Sequence, residues 1–251
     1  MEHNLSRYTD PSVVAHYAKQ EEIFACESVL FDKYIVAGGY VLDLGMGGGR
    51  TTAALVRMAG KYLGMDYSAA MVAAASARFP DQKFLHGDAT DLTRFPDNSF
   101  DNVVFSFNGI DYIRDDNGRA KCLAEIARVL KPGGTLVFSS HNAQALGLWP
   151  HLHSARGLQI PWRIVRSIGK AAVYSLRVLR AGVFRAGEGY VVDPIHAGLH
   201  TYVSTPEPIE RQCAAAGMKL VETVGGDYPH VRSRFLQPWF YYACRKLGNA
   251  S

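Results

Sequence analysis

Apolar positions along this 251-residue chain change period several times, and each change predicts an element. Over residues 11–36, Val13, Val14, Tyr17, Ile23, Phe24, Val29, Leu30 and Phe31 recur at helical spacing among polar residues. Gly38-Gly39 stops that helical stretch. Val41–Leu44 then reads as a short apolar strand, and Thr51–Met58 as a helix with Ala54, Leu55 and Met58 on its apolar side. Tyr62–Asp66 is a second strand. Ser68 can cap the next helix, which runs through Met71 and Val72 to about Arg78. Phe84–His86 is a third strand. The turn residues Pro96-Asp97-Asn98-Ser99 introduce a fourth, Phe100–Phe107. Leu123, Ile126, Ala127 and Leu130 fall on one helical face. Lys131-Pro132-Gly133-Gly134 ends that helix, and Thr135–Ser140 is a fifth strand.

Strands interleaved with helices imply an α/β fold with a parallel sheet and crossover helices. Pockets in such sheets lie beyond the carboxyl ends of the strands. After His141 the alternation stops, with no convincing strand before Tyr190–Val192. Pro206–Ala216 then reads as a helix, and Lys219–Val224 and Trp239–Arg245 as strands. The expected organisation is one domain built from 1–142 and 201–251, with 143–200 inserted as a helical cap or lid.

The segment after the first strand carries the most specific chemistry. Gly45, Gly47, Gly48 and Gly49 remove the Cβ atoms that would block a ligand and permit positive φ. The following helix adds a positive N-terminal dipole. A dinucleotide fingerprint would need a third glycine at position 50, which is Arg50, and a phosphate-binding loop would need a lysine that Gly49-Arg50-Thr51 lacks. Asp43, two residues before the glycines, would repel a pyrophosphate and suits a cationic amino-acid end. Asp66 ends the second strand, where a carboxylate can accept both hydroxyls of a ribose. Asp88 ends the third, where it can accept from an adenine amine while Ala89 offers a backbone N–H.

In these residues the chain resembles the class I S-adenosylmethionine-dependent methyltransferases. The resemblance is carried by Val41–Gly49, Leu63–Ser68, His86–Ala89, Ser99–Val104 and Glu125–Gly134, covering residues ~10–141 well and 204–246 loosely. It implies a Rossmann-like fold with a seven-stranded, mostly parallel sheet and one antiparallel strand near its edge. It implies S-adenosyl-L-methionine as cofactor and S-adenosyl-L-homocysteine as product. By the same resemblance Asp43, Gly45, Gly47 and Gly49 would hold the methionine end, and Asp66 the ribose. Tyr67 and Met71 would lie beside the adenosine, Asp88 and Ala89 beside adenine, and Ser106 and Phe107 near the sulfonium. Tyr17 resembles the tyrosine that such enzymes fold over the cofactor. Met46 departs from the family, many members of which have a small residue or cysteine there.

A hydroxyl acceptor needs its proton removed, which calls for a histidine or carboxylate near the methyl group. His141, directly after the fifth strand, is the first candidate base. Asp111 and Tyr112, with Asn108, follow the fourth strand, where family members meet their acceptor. His196 and His200 could close over the site. No Asn/Asp-Pro-Pro-Tyr/Phe motif follows the fourth strand, which reads Ser106-Phe107-Asn108-Gly109, and no cysteine stands there. Methylation of base or glutamine amino groups and of cytosine carbon is therefore not expected. A small-molecule acceptor is, with oxygen favoured over nitrogen. A non-catalytic S-adenosylmethionine-binding regulator and an RNA methyltransferase are the alternatives.

Composition adds location rather than class. The net charge is only +4, yet residues 151–200 hold seven basic side chains against Glu188 and Asp193. A regional excess argues against general nucleic-acid affinity. Over Trp162–Arg180, Arg163, Arg166, Lys170, Arg177 and Arg180 share one helical side. That side could be a solvated face, a lid over an anionic, phosphate-bearing acceptor, or a peripheral membrane contact through 162–180, and Arg232 and Arg234 could extend it. Cys26, Cys122, Cys213 and Cys244 show no ligand spacing, so no metal site is expected, and their scatter fits a cytoplasmic location. No apolar run is long enough for a membrane span. Oligomeric state is not legible.

Overall fold

The helical pattern of residues 11–36 divides into two helices, α1 (Pro11–Ala18) and α2 (Ala25–Tyr34). Asp10 caps α1 by accepting from the Ser12 backbone N–H at 2.8 Å, and Pro11 suits the first helical position. The computed structural model describes residues 6–145, 172–173, 175–193, 199–230 and 233–248.

The strands are β1 (Tyr40–Leu44), β2 (Lys61–Asp66), β3 (Lys83–His86), β4 (Phe100–Phe105), β5 (Leu130–Asn142), β6 (Glu188–Asp193), β7 (Leu199–Ser204), β8 (Met218–Gly225) and β9 (Trp239–Lys246). Between them run α3 (Thr52–Met58), α4 (Ala69–Arg78), α5 (Asp116–Val129), α6 (Val183–Ala186) and α7 (Pro206–Ala215). β3-β2-β1-β4-β5 is parallel, β9 lies antiparallel on β5, and β8 antiparallel on β9. The chain reverses its direction of sheet growth between β1 and β4. A crevice opens beyond the strand ends at such a switch point.

Strand alternation divides the core between the two sheet faces. Leu42, Val103 and Leu136 enter one cluster, while their neighbours Val41, Val104 and Val137 enter the other with Cys26, Leu30 and Phe31 of α2. Fully burying one such side chain contributes about 1.5–3 kcal/mol. α2 is thereby fixed on the sheet, so the chain preceding it must cross the strand ends.

The described sheet has nine strands where seven were expected: β6 takes in the strand read at Tyr190–Val192, and β7 falls where none was read. β6 and β7 pair antiparallel, and β7 joins the far end of β5 through His141↔Val203 and Asn142↔Ser204. β4 has already ended opposite Phe138, so β7 takes over the same edge of β5 beyond it. β7 lacks the regular alternation of a strand because two of its polar residues are buried. Thr201 and Ser204 are fully buried. Residues 162–171, His196 and Arg232, read above as parts of a basic face or a lid, lie outside the described residues.

Candidate active site

The glycine loop is shaped by contacts that only glycine tolerates. Gly45 has φ +60°, and a Cβ there would stand 2.6 Å from the Phe105 ring. Gly47 has φ +56°. The Gly45 N–H donates to the Met65 carbonyl at 2.7 Å, and the Gly47 N–H donates to Asp66 Oδ2 at 2.9 Å. The acid at the end of β2 therefore holds the loop after β1. Its other oxygen accepts from the Ser68 N–H at 2.8 Å. Burial raises the Asp66 carboxyl above its ordinary range, against the pull of these two backbone donors.

Beside the loop lies a cavity of about 350 Å³. Of the expected cofactor residues, Tyr17, Gly45, Gly47, Asp66, Tyr67, Met71, Asp88, Ala89, Ser106 and Phe107 all line it. The strands end side by side, which brings together residues up to 90 positions apart. Tyr8, Arg50 and Thr51 also line the cavity and were not anticipated. Tyr8 sits between Tyr17, Tyr67 and Tyr112, with ring centroids 6.0, 5.9 and 5.9 Å away.

Two expected cofactor residues are not on the wall. Asp43 lies beneath the loop, fully buried, where Oδ2 accepts from Thr51 Oγ1 at 2.7 Å and the Tyr62 hydroxyl at 2.9 Å. Its Oδ1 has no partner, and burial pushes the carboxyl up to about 7. Gly49, at φ +86°, packs on Phe79, whose ring would be 2.8 Å from an added Cβ.

A second buried acid joins the N-terminal segment to the loop. Arg50 donates to both Glu27 oxygens at 2.6 Å and to the Glu22 carbonyl at 3.2 Å. Ser106 Oγ and the Tyr241 hydroxyl donate to Glu27 Oε1 at 2.7 and 2.6 Å. Burial alone would raise the Glu27 carboxyl, but the Arg50 guanidinium outweighs it and holds it below its usual range. Phe24 and Phe107 lie 5.0 and 5.2 Å from the same guanidinium. Arg78 donates to the Ala18 and Gln20 carbonyls at 3.1 and 2.8 Å. The break between α1 and α2 is thus fastened by two arginines, which places Tyr17 over the cavity. A carboxylate set among Cys26, Leu30 and Phe31 was the available sequence signal for Glu27.

The three expected catalytic residues come together where β4 ends, with His141 within the last paired residues of β5 rather than after the strand. His141 donates its backbone N–H to Asp111 Oδ2 at 2.7 Å, and its ring Nδ1 lies 2.8 Å from the same oxygen. Asp111 Oδ1 accepts from Ser140 Oγ at 2.8 Å and from Arg119 Nη1 at 3.2 Å. His141 Nε2 lies 3.3 Å from Asn108 Nδ2. Phe107 and Asn108 both have positive φ, 55° and 61°, an uncommon backbone for non-glycine residues that recurs at functional sites. Tyr112 lines the cavity with its ring 6.1 Å from that of His141. Asp111 and His141 stand behind it, not on the wall. His200 stacks on Tyr190 at 4.8 Å, away from the cavity wall.

These residues fit an adenosine-type cofactor. The Tyr67 hydroxyl is buried on the wall with no partner, and Asp66 keeps lone pairs beyond its two backbone bonds. The bare loop lets a ligand approach the backbone, since a Cβ at Gly47 would meet only the Tyr17 ring at 3.6 Å. Residues 42–138 match the methyltransferase domain family. A demethylmenaquinone methyltransferase of Renibacterium salmoninarum is 38% identical over 112 residues, 45% of each chain. The chain spans about half the length of the curated relatives it matches. Among solved structures, the CcbJ methyltransferase from Streptomyces caelestis superposes with a TM-score of 0.64 at 17% identity, covering 96% of this chain and 98% of that one. Burkholderia thailandensis 1,6-didemethyltoxoflavin-N1-methyltransferase, with its substrate and S-adenosylhomocysteine bound, gives 0.62 at 15%, covering 98% and 87%. Fold and site agree in class: the fold is that of these solved S-adenosylmethionine-dependent methyltransferases, and residues 42–138 match a methyltransferase domain. That segment holds the glycine loop and the three strand-end acids.

Proposed function

We propose that this chain transfers the methyl group of S-adenosylmethionine to a hydroxyl oxygen of a small-molecule acceptor, with His141 taking the proton. The buried Asp111–His141 pair carries this reading. A carboxylate cannot donate, so the short contact puts the proton on Nδ1 and makes Nε2 of the neutral ring an acceptor. Nε2 points to Asn108, on the loop where β4 ends. Arg119 and Ser140 occupy the second oxygen of Asp111, which fixes the carboxylate and through it the ring.

When bound, the cofactor supplies an activated methyl group on a sulfonium. The chain's own residues orient and deprotonate. Asp66 and the Tyr67 hydroxyl hold the ribose, and Gly45 to Gly48 admit the methionine end close to the backbone. Tyr8 and Tyr17 exclude water from above. A cofactor held by these residues would supply the methyl group to the acceptor oxygen. The hydroxyl proton passes to His141 Nε2, the Asn108 amide giving way to the acceptor. Orientation supplies much of the rate, and a positioned base contributes about 10²–10⁴-fold.

His141→Ala and Asp111→Asn test the reading by steady-state turnover and cofactor titration. Both should lower kcat by about 10²-fold or more with cofactor affinity kept. Near-normal turnover by His141→Ala would remove the histidine from the mechanism.

A further inference from the structure

The inserted region turns an unusual face to solvent. Residues 172, 173 and 175–180 are helical, and Val178 packs inward on Val183, Val191 and Val203. At about 100° per residue, Leu176 and Arg180 point away from Val178, with Val173 beside them and Leu179 and Arg177 on the flanks. Val173, Leu176 and Leu179 are 43%, 47% and 59% exposed. An ordinary surface helix would carry polar residues there.

The described charges on this segment and just after it are basic. Arg180 and Arg185 have no acidic partner among the described residues. Arg177 donates to the Val192 carbonyl at 2.8 Å and has no acidic partner among the described residues. Glu188, the nearby acid, is occupied by Arg211 at 2.7 Å, the Tyr202 hydroxyl and Gln212.

We propose that this helical segment docks the protein on an anionic lipid surface. Leucines beside arginines suit the boundary between acyl chains and phosphate headgroups, where both kinds of side chain are satisfied at once. A second copy of the chain fits less well. A two-fold contact would set the same arginines against one another without an acid between them. None of Val173, Leu176, Leu179, Arg180 and Arg185 lines the cofactor cavity, so substitutions there leave its wall intact.

Sedimentation of the full chain with vesicles tests the proposal. Vesicles of phosphatidylglycerol mixed with phosphatidylcholine should carry the protein down, and phosphatidylcholine vesicles should not. Leu176→Glu with Leu179→Glu should abolish the binding while cofactor affinity is kept, which reports a folded domain. Arg180→Glu with Arg185→Glu should weaken it by about fivefold or more for each charge removed, without touching the apolar residues. Equal recovery with both vesicle types, recovery with neither, or indifference to both variant pairs would overturn the proposal. So would a dimer in light scattering that the two glutamate substitutions dissociate, which would assign the face to a second copy.

Discussion

One oxygen of Asp111 receives two hydrogen bonds from a single residue, His141, through the backbone N–H at 2.7 Å and ring Nδ1 at 2.8 Å. Backbone and side chain of the histidine are therefore set by the same carboxylate. The charge of that carboxylate is balanced from behind by Arg119, which is itself almost fully buried. Arg119 also donates to the Ile110 carbonyl at 2.8 Å and lies 3.7 Å over the Tyr202 ring of the inserted hairpin. Replacing Arg119 by Met should leave Asp111 charged, buried and uncompensated. Urea denaturation should then show a loss of about 3–5 kcal/mol. A loss below about 1 kcal/mol would mean that the ion pair is not what stabilises this corner.

Gly48 lies under the N-terminal segment. A Cβ there would come within 2.6 Å of the Ala18 backbone, which cannot rotate away as a side chain can. Gly48→Ala should push α1 and Tyr17 off the cavity and weaken cofactor binding in calorimetry. Overpacking costs about 1–3 kcal/mol, or about 5- to 150-fold in affinity. The sheet should be unaffected, with the far-ultraviolet spectrum unchanged.

Asp66 has two tasks in this account, since it holds the loop through Gly47 and offers its free lone pairs to the ribose. Asp66→Ala should lower S-adenosylmethionine affinity by about 10- to 150-fold, the range for hydrogen bonds to a charged group. Asp66→Asn, which keeps one acceptor oxygen, should lose less. Calorimetric titration of the three proteins checks the order.

Asp43 should make stability depend on pH. Its folded pKa, about 7, is raised above the carboxylate value of 3.8 because burial disfavours the charge. The unfolded chain therefore binds fewer protons between these values, and stability falls as pH rises from about 4 to about 7. Asp43→Asn keeps an acceptor for Thr51 and Tyr62 and removes the charge. Thermal melts should show the wild type losing stability over this window relative to Asp43→Asn. Parallel curves would mean that Asp43 is ionised at little cost.

The cavity wall was legible in part because its signals are local. Glycines at fixed spacing and acids at strand ends carry their meaning within a few residues, so Gly45, Gly47, Asp66, Asp88 and Ala89, expected beside a cofactor, all fall on that wall. Asp43 and Gly49 show the limit of that method. Whether a loop residue faces a ligand or packs beneath it depends on Tyr62 and Phe79, which sequence position does not connect to the loop. The Glu27–Arg50 pair spans 23 positions, and Arg119 meets Tyr202 across the inserted region. Such pairings follow from the fold rather than from spacing. β7 was missed because Thr201 and Ser204 are buried polar residues, which erases the alternation that marks a strand.

The central claim is methyl transfer to oxygen with His141 as the base. Its most direct test is incubation with S-adenosylmethionine carrying a ¹³C-labelled methyl group and a small-molecule cell extract, followed by carbon NMR of the products. The account predicts a new oxygen-bound methyl resonance that requires the wild-type protein and is nearly lost with His141→Ala. A label found on nitrogen or carbon, or an oxygen-bound label formed equally by His141→Ala, would contradict it.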